Sequence, residues 1–192
     1  MELRKQESRS SAGNNHGDEQ AGITHIQAHA PEVRSRWCTN EKTAMEAALG
    51  MSYAGKRSLV CMKHVGMNVA ADAFVNSAIT GINGGLVVLA ADDPSMHSSQ
   101  NEQDSRFYGK FAMIPIMEPS SQQEAYDMMP YAYALSEELK LPILMRVVTR
   151  LAHSRARLRY VSLWHKMHST PIMSVPTGYC SQAMHAANTQ RW

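Results

Sequence analysis

The sequence predicts an α/β domain built on a doubly wound, mostly parallel sheet. From residue 37 to residue 151 its apolar segments alternate between the period of a strand and the period of a helix. The segment GLVVLAA at residues 85–91 is apolar throughout, which is typical of a strand that helices cover on both faces of a parallel sheet. No Asn-Gly hairpin joins two strands, because Asn83 and Gly84 fall between a predicted helix and a predicted strand.

The segments before residue 92 predict two helices and two strands. Each helix is rich in small or unbranched apolar residues and ends at a glycine, as helices commonly do. The polar stretch that follows, residues 92–105, is expected to form a long loop. In chain order the four elements are helix 40–54 before Gly55, strand 58–63, helix 68–80 before Gly81, and strand 85–91.

The segments after this loop complete the pattern. Ser120 or Ser121 is expected to cap a long helix, with Glu124 in its first turn. Pro130 falls inside that helix and should kink or split it. The expected elements are strand 114–117, helix 120–140 and strand 143–148.

The two ends of the chain differ from its middle. Residues 1–36 are polar and aperiodic, so we expect them to be mostly disordered. No acidic residue follows Glu138, and residues 156–192 form an irregular basic tail. The folded domain is therefore expected at residues 37–155.

Composition and charge exclude several classes of function. The 192 residues are 44% hydrophobic and 19% charged, a mixture typical of a globular domain. The net charge of +2 gives no basic field for nucleic acid, and no apolar run reaches the roughly 18 residues that a membrane helix needs. The three cysteines form no CxxC pair, and the N-terminus lacks a secretory signal, so a reducing, cytoplasmic compartment is expected.

Ligands in such sheets bind at the carboxyl ends of the strands, which are predicted at residues 63–66, 92–94 and 118–119. Glu41 follows Asn40 at the start of the first helix, either as part of an ordinary cap or as an acid whose apolar site raises its pKa. His64 comes directly after strand 58–63, and Gly66 permits a tight turn and the close approach of a ligand. A lone histidine in a loop is more often a surface residue, so both interpretations stay open.

The polar loop after strand 85–91 is long enough to carry a function. His97 and Arg106 have the chemistry to bind a carboxylate, whereas Asp92 and Asp93 have that to bind a cation. No third ligand stands at a fixed spacing from the two aspartates, so the sequence predicts no metal site. The alternative is a solvated loop without a ligand.

Four segments carry a resemblance to a known family: NEKTAMEAALGMSYAG, LVCMKHVGMNVAAD, GINGGLVVLAADDPSMHSSQNEQDSRFYGKFA and LPILMRVVTRLAHSR. Together they resemble the alpha subunits of indolepyruvate ferredoxin oxidoreductases, which are thiamine-diphosphate-dependent 2-oxoacid:ferredoxin oxidoreductases. The resemblance runs from about Trp37 to Arg155 and matches the family's pyrimidine-binding domain, which has a parallel α/β fold.

The resemblance implies that Glu41 is a catalytic residue that contacts the aminopyrimidine ring of thiamine diphosphate. It would share a proton with a ring nitrogen and favour the imino form of that ring. His64 and Gly66 match positions near the cofactor, and His97 and Arg106 are candidates for binding the substrate carboxylate. The family decarboxylates a 2-oxoacid, in this branch an aryl one such as indolepyruvate, and passes electrons to ferredoxin and the acyl group to coenzyme A.

The chain also departs from the family pattern. It has no Tyr-Pro-Gly-Thr-Pro-like loop, no Gly-Asp-Gly motif for magnesium and no cysteine-rich segment for iron–sulfur clusters. We therefore expect a fold that is incomplete at the N-terminus and a chain that holds half of a thiamine diphosphate site. The expected partners, which would bind magnesium and the clusters, are a diphosphate-binding domain or chain, the beta subunit and ferredoxin. The alternative is a non-catalytic fragment or binding module that retains the fold.

Overall fold

The computed structural model describes residues 2–6 and 33–159. Within them the strands are β1 (Glu2–Gln6), β2 (Arg34–Cys38), β3 (Ser58–Lys63), β4 (Leu86–Asp92), β5 (Ile116–Met117) and β6 (Ile143–Val148). These strands pair in parallel to form one sheet, in the order β2-β1-β3-β4-β6-β5. The helices are α1 (Glu41–Tyr53), α2 (His64–Thr80), α3 (Arg106–Ala112), α4 (Gln122–Leu139) and α5 (Thr149–Ala152).

Helices cover both faces of this sheet. α1, α2 and α3 contribute Met45, Phe74 and Ala112 to a buried cluster on one face, whereas α4 packs Tyr133 against Val87 on the other. The chain moves along the sheet in one direction from β3 to β4 and in the opposite direction from β5 to β6. Because parallel crossovers are right-handed, this reversal puts α4 on the opposite face from α2. The predicted doubly wound, parallel α/β fold is confirmed.

The longer predicted elements are found near their predicted bounds. β3 and β6 coincide with residues 58–63 and 143–148, and α1 and β4 lie within one residue of prediction at each end. α4 runs through Pro130 as a single helix, so the predicted split is wrong. No helix among residues 2–6 and 33–159 is long and apolar enough to cross a membrane.

The predicted helix caps at the start of α1 and α4 are present. The Oδ1 atom of Asn40 accepts a hydrogen bond from the Thr43 backbone N–H at 2.8 Å. The Ser121 hydroxyl oxygen accepts from the Glu124 N–H at 3.2 Å. Each cap satisfies a backbone donor that the first helical turn leaves without a partner.

Three elements differ from prediction because short-range signals are weak there. α2 begins at His64, four residues before the predicted start, although no side chain caps it and Gly66 in its first turn disfavours a helix. α3 has only seven residues, also lacks a side-chain cap and was not predicted. β5 keeps only the last two residues of the predicted strand 114–117.

Two strands lie wholly or partly within residues 1–36, where the composition predicts mostly disorder: β1 lies inside this range, and β2 begins in it and ends at Cys38. They pair with each other along five residues, and β1 also pairs with β3. These short polar segments have no alternating pattern of their own, so their pairing with the buried centre of the sheet determines their structure. The remainder of that prediction, for residues 7–32, and the predicted tail beyond residue 159 lie outside the described residues.

A buried arginine holds the carboxyl edge of the sheet together. Arg146, in the middle of β6, is 6% exposed, and its Nε atom lies 2.5 Å from Asp92 Oδ2 at the end of β4. Its Nη1 atom donates to Glu118, which follows β5. Asp92 also accepts from the backbone N–H of Ser105 at 3.0 Å and from the Ser105 hydroxyl, which ties the end of the polar loop to the sheet.

A second ion pair lies at the amino edge. The Arg57 guanidinium donates to both oxygens of Glu137, at 2.6 and 2.8 Å, and stacks over the ring of Tyr133 at 5.5 Å. This bidentate contact holds the pKa of the Glu137 carboxyl below its ordinary value. Both side chains of the pair are 24% exposed, so solvent screens this contact more than it screens Arg146.

Replacing Arg146 should destabilise the fold strongly. The Arg146→Met variant leaves the buried Asp92 carboxylate without its counter-charge, a change that costs about 3–5 kcal/mol in the free energy of unfolding. The matched control Arg57→Met removes a partly exposed pair and should cost about 1 kcal/mol. Chemical denaturation of the two variants and of the parent chain measures both losses of unfolding free energy. Equal losses in the two variants would contradict the assignment of Arg146 as the more strongly stabilising of the two arginines.

Acid should weaken the fold through Asp93. Burial alone would raise the pKa of its carboxyl, but hydrogen bonds from the Ser98 N–H, the Thr149 hydroxyl and the His97 N–H outweigh burial and hold that pKa well below its ordinary value. The stabilisation is therefore present above about pH 4 and is lost as the pH falls through the folded-state pKa.

The Asp93→Asn variant should accordingly be less stable than the parent chain at pH 7 and should lose less stability between pH 5 and pH 2. Urea denaturation at a series of pH values measures the difference. Asp127→Asn, at an exposed carboxylate, is the matched control and should keep the acid dependence of the parent chain. A parent-like acid dependence in Asp93→Asn would contradict the proposed contribution of Asp93.

Candidate functional site

The residues predicted to form the site follow three strands at the carboxyl edge of the sheet. Glu41 follows β2, His64 and Gly66 follow β3, and His97 and Arg106 follow β4. In open α/β sheets ligands bind at this edge, because loops and helix N-termini meet there. The order of the elements places all five residues at this edge, and their function stays a prediction.

Glu41 and Gly66 lie in direct contact. Glu41 is the first residue of α1 and only 4% exposed, although an acid at a helix start usually faces solvent. A Cβ atom added to Gly66 would lie 2.5 Å from Glu41 Cγ and 2.9 Å from Glu41 Oε1. The side chain of Glu41 is thus packed against the backbone of the first turn of α2.

This placement gives Glu41 chemistry that an exposed cap residue lacks. The N-terminal end of α1 favours a carboxylate, whereas removal from water favours the neutral acid. Such a carboxyl group suits the exchange of a proton with a bound ligand.

His64 is buried rather than in a loop. It is 1% exposed and occupies the first position of α2, which corrects the prediction that it stands in a turn. Its Nε2 atom lies 3.1 Å from the carbonyl oxygen of Asn101, and its Nδ1 atom lies 3.4 Å from that of Ala91. The ring therefore connects α2 to the end of β4 and to the polar loop. Gly66 likewise stands within the helix and not in a turn.

Arg106 and His97 lie on the outside of the polar loop. Arg106 binds Asp104 through Nε at 2.8 and 3.0 Å and through Nη2 at 2.6 Å, and its Nη1 atom lies 3.4 Å from Glu118. The guanidinium fork thus already holds a carboxylate of the same chain. His97 is exposed, and its backbone N–H donates to Asp93. Their role in binding a substrate carboxylate stays a prediction.

Asp92 and Asp93 do not form a cation site. Asp92 accepts from Arg146 and Ser105, and Asp93 accepts from two backbone N–H groups and the Thr149 hydroxyl. The Arg146 guanidinium therefore lies against Asp92, and N–H and hydroxyl donors bind Asp93. Within residues 2–6 and 33–159, no group of three or more histidine, cysteine, aspartate or glutamate side chains is arranged to hold a metal ion.

The role of Arg146 was not predicted from the sequence, although the sequence carries a signal for it. β6 reads Ile-Leu-Met-Arg-Val-Val, and a charged residue in the middle of an apolar strand requires a buried partner. Asp92 ends the most apolar strand of the sheet and was the available partner. Joining the two would have predicted the ion pair that fixes β4 beside β6.

Two cavities open at the carboxyl edge. The larger, of about 570 Å³, lies between the ends of β5 and β6 and is lined by residues that include Glu118, Arg150 and Ser154. The smaller, of about 150 Å³, lies beside β4 and is lined in part by Lys63 and Asp93. Both lie on the edge where the sheet topology places ligands.

Comparison with known proteins identifies the family. Residues 23–173 match the family described as pyruvate flavodoxin/ferredoxin oxidoreductase, thiamine diphosphate-binding. Indolepyruvate oxidoreductase subunit IorA of Pyrococcus horikoshii is 54% identical over 123 residues, which cover 64% of this chain and 19% of that protein. The subunit of the same name from Archaeoglobus fulgidus is 55% identical over 118 residues, which cover 62% of this chain and 19% of that protein.

Solved structures share the fold at low sequence identity. A 2-oxoglutarate:ferredoxin oxidoreductase from Magnetococcus marinus has a TM-score of 0.60 and 16% identity, over 79% of this chain and 26% of that one. Benzoylformate decarboxylase from Polynucleobacter necessarius has a TM-score of 0.62 and 12% identity, over 88% of this chain and 30% of that one.

The chain spans about a fifth of the length of the curated relatives that it matches. The matched family segment nevertheless includes the described strands from β2 to β6, the helices that cover them and every predicted site residue. The chain therefore belongs to the pyruvate flavodoxin/ferredoxin oxidoreductase family, and it matches the thiamine diphosphate-binding segment of that family.

Proposed function

We propose that this chain supplies the pyrimidine-binding half of a thiamine diphosphate site in a 2-oxoacid:ferredoxin oxidoreductase. The observation that carries the proposal is the buried Glu41 carboxyl group, packed against Gly66 at the carboxyl edge of the sheet. The relatives are named indolepyruvate oxidoreductases, so an aryl 2-oxoacid such as indolepyruvate is the proposed substrate.

The residues present fit the pyrimidine end of the cofactor. An aminopyrimidine ring needs an acid that can exchange a proton with a ring nitrogen, and Glu41 is a carboxyl group withdrawn from water at a helix N-terminus. The bare backbone at Gly66 leaves room for the Glu41 side chain beside it. When bound, thiamine diphosphate supplies the carbon nucleophile and the electron sink that a 2-oxoacid decarboxylation requires.

Glu41 has two tasks in this proposal. Its carboxyl oxygen binds the ring nitrogen and so orients the cofactor, and its proton moves between the oxygen and that nitrogen. Burial excludes water that would compete for the same hydrogen bond. A glutamine at position 41 has nearly the same shape but no acidic proton. It would therefore still orient the cofactor ring, but it could not exchange a proton with the ring nitrogen.

His64, His97 and Arg106 are assigned supporting roles in the same site. The buried His64 ring holds the start of α2, and with it Gly66, against the polar loop. We propose that His97 and Arg106 approach the substrate carboxylate from that loop; for Arg106 this requires exchange of the Asp104 carboxylate for that of the substrate. Arginine suits this role because its fork binds a carboxylate at two points.

Turnover would require groups that other domains or chains supply. The 192-residue sequence contains no Gly-Asp-Gly motif, and its three cysteines are far apart in the sequence. We therefore assign the cofactor diphosphate and its magnesium to a diphosphate-binding domain or chain, and the iron–sulfur clusters to further parts of the complex. The beta subunit and ferredoxin complete the proposed set of partners, in the cytoplasm.

A chimera tests the function. The 123-residue segment of the Pyrococcus horikoshii subunit that this chain matches is replaced with the corresponding segment of this chain, and indolepyruvate-dependent reduction of ferredoxin is measured. The chimera should be active, and Glu41→Gln should lower its kcat by at least about 100-fold, the usual contribution of a proton-transferring group. The matched control Glu46→Gln changes an exposed acid on the same helix and should stay within about twofold.

Two outcomes contradict the proposal separately. An inactive chimera that folds and assembles would favour the alternative of a binding module without catalysis. An active chimera in which Glu41→Gln and Glu46→Gln turn over alike would retain the family function but remove Glu41 from the chemistry. Thermal unfolding of each variant distinguishes loss of function from loss of the fold.

A further inference from the structure

The first turn of α2 packs directly against the Glu41 side chain. A Cβ atom at position 66 would lie 2.5 Å from Glu41 Cγ, 2.9 Å from its Oε1 and 3.0 Å from its Cδ. All three distances are at or below the closest approach that real side chains make. Every residue type other than glycine has a Cβ atom, so only glycine fits at position 66 while Glu41 keeps this conformation.

The glycine at position 66 is explained by the close approach of the Glu41 side chain, and not by a backbone conformation that only glycine adopts. Gly66 lies inside a regular helix, whereas the glycines with a positive φ among the described residues are Gly55 and Gly81. Glycine in a helix is unfavourable relative to alanine, and at position 66 the contact with Glu41 excludes alanine. Gly50 in α1 provides the contrast, because a Cβ atom added there would meet nothing within 4 Å.

Buried contacts on the side away from Glu41 hold the first turn of α2 in place. His64, two residues before Gly66, is buried and lies within hydrogen-bonding distance of the carbonyl oxygens of Asn101 and Ala91. Met67, the next residue after Gly66, is fully buried in the core between the helices and the sheet. The turn therefore cannot retreat from Glu41, and any atom added at position 66 must displace the Glu41 side chain instead.

We propose that Gly66 is a positioning residue for Glu41: the absence of a side chain at position 66 sets the conformation and the burial of the Glu41 carboxyl group. It acts through Glu41 and not through contact with a ligand. The catalytic meaning of this contact rests on the proposed function, but the contact itself is a property of the chain alone. It can therefore be tested without a cofactor.

A double-mutant cycle tests the contact in the full chain. Gly66→Ala should lower the denaturation midpoint of the parent chain, because the added methyl group collides with Glu41. In the Glu41→Ala background the same substitution should leave the midpoint unchanged or raise it, since the collision is gone and alanine is the better helix former. Gly50→Ala is the matched control and should raise the midpoint equally in both backgrounds.

The Glu41→Ala background also guards against a variant that does not fold. If Gly66→Ala alone is unfolded, recovery of the fold in the double variant supports the contact. An equal loss of stability from Gly66→Ala in both backgrounds overturns the proposal, because the loss would then have another source.

A second readout separates positioning from stability. The carbon-13 resonance of the Glu41 carboxyl group, assigned by its disappearance in Glu41→Gln, is followed during a pH titration of the folded chain. In Gly66→Ala it should shift towards the resonance of the exposed Glu46, whereas in Gly50→Ala it should stay at its parent position. An unchanged Glu41 resonance in a folded Gly66→Ala chain overturns the positioning role even if the variant is less stable.

Failure here and failure of the proposed function are distinguishable. The double-mutant cycle and the pH titration are carried out without cofactor. A chain that does not bind the cofactor can therefore still show that the effect of Gly66→Ala depends on Glu41. Conversely, a catalytically active chimera that lacks this dependence would support the proposed function and reject Gly66 as its positioning residue.

Discussion

The buried Arg146 guanidinium is the constraint on which the carboxyl edge of this fold depends. It joins β6 to Asp92 at the end of β4, and the same aspartate fixes Ser105 at the end of the polar loop. The loop so anchored brings the Asn101 carbonyl oxygen within 3.1 Å of His64 in the first turn of α2. One charge buried in the sheet thus leads, through a short series of contacts, to the place where α2 meets Glu41.

Glu41 and its surroundings show how a common local motif acquires specialised chemistry. An asparagine cap followed by a glutamate is a routine start for a helix, and the Asn40 cap forms as such motifs do. Burial makes the difference, because α2 covers the Glu41 side chain and a glycine in α2 permits that cover. The proposed proton-transferring acid is therefore a consequence of packing between two helices. Membership of a thiamine diphosphate-binding family gives that acid a cofactor to act on.

The sequence predicted those parts of the fold whose signal is local. Continuous apolar runs predicted β3, β4 and β6 because central parallel strands are buried on both faces. The start of α2 was misplaced because residues 64–67 carry no cap and include a glycine, and contacts distant in sequence hold that turn in a helix. Likewise, the sequence predicted that Arg106 binds a substrate carboxylate, although Asp104, only two residues before it, offers a carboxylate that binds its guanidinium in the fold.

A crystal structure of the active chimera with thiamine diphosphate bound would show whether Glu41 binds the pyrimidine ring. We expect a Glu41 carboxyl oxygen within about 3 Å of a pyrimidine ring nitrogen, the distance of a strong hydrogen bond, with Gly66 still in contact with the Glu41 side chain. A cofactor ring whose nitrogen is bound by a different acid, with Glu41 remaining an ordinary helix-cap residue, would contradict it.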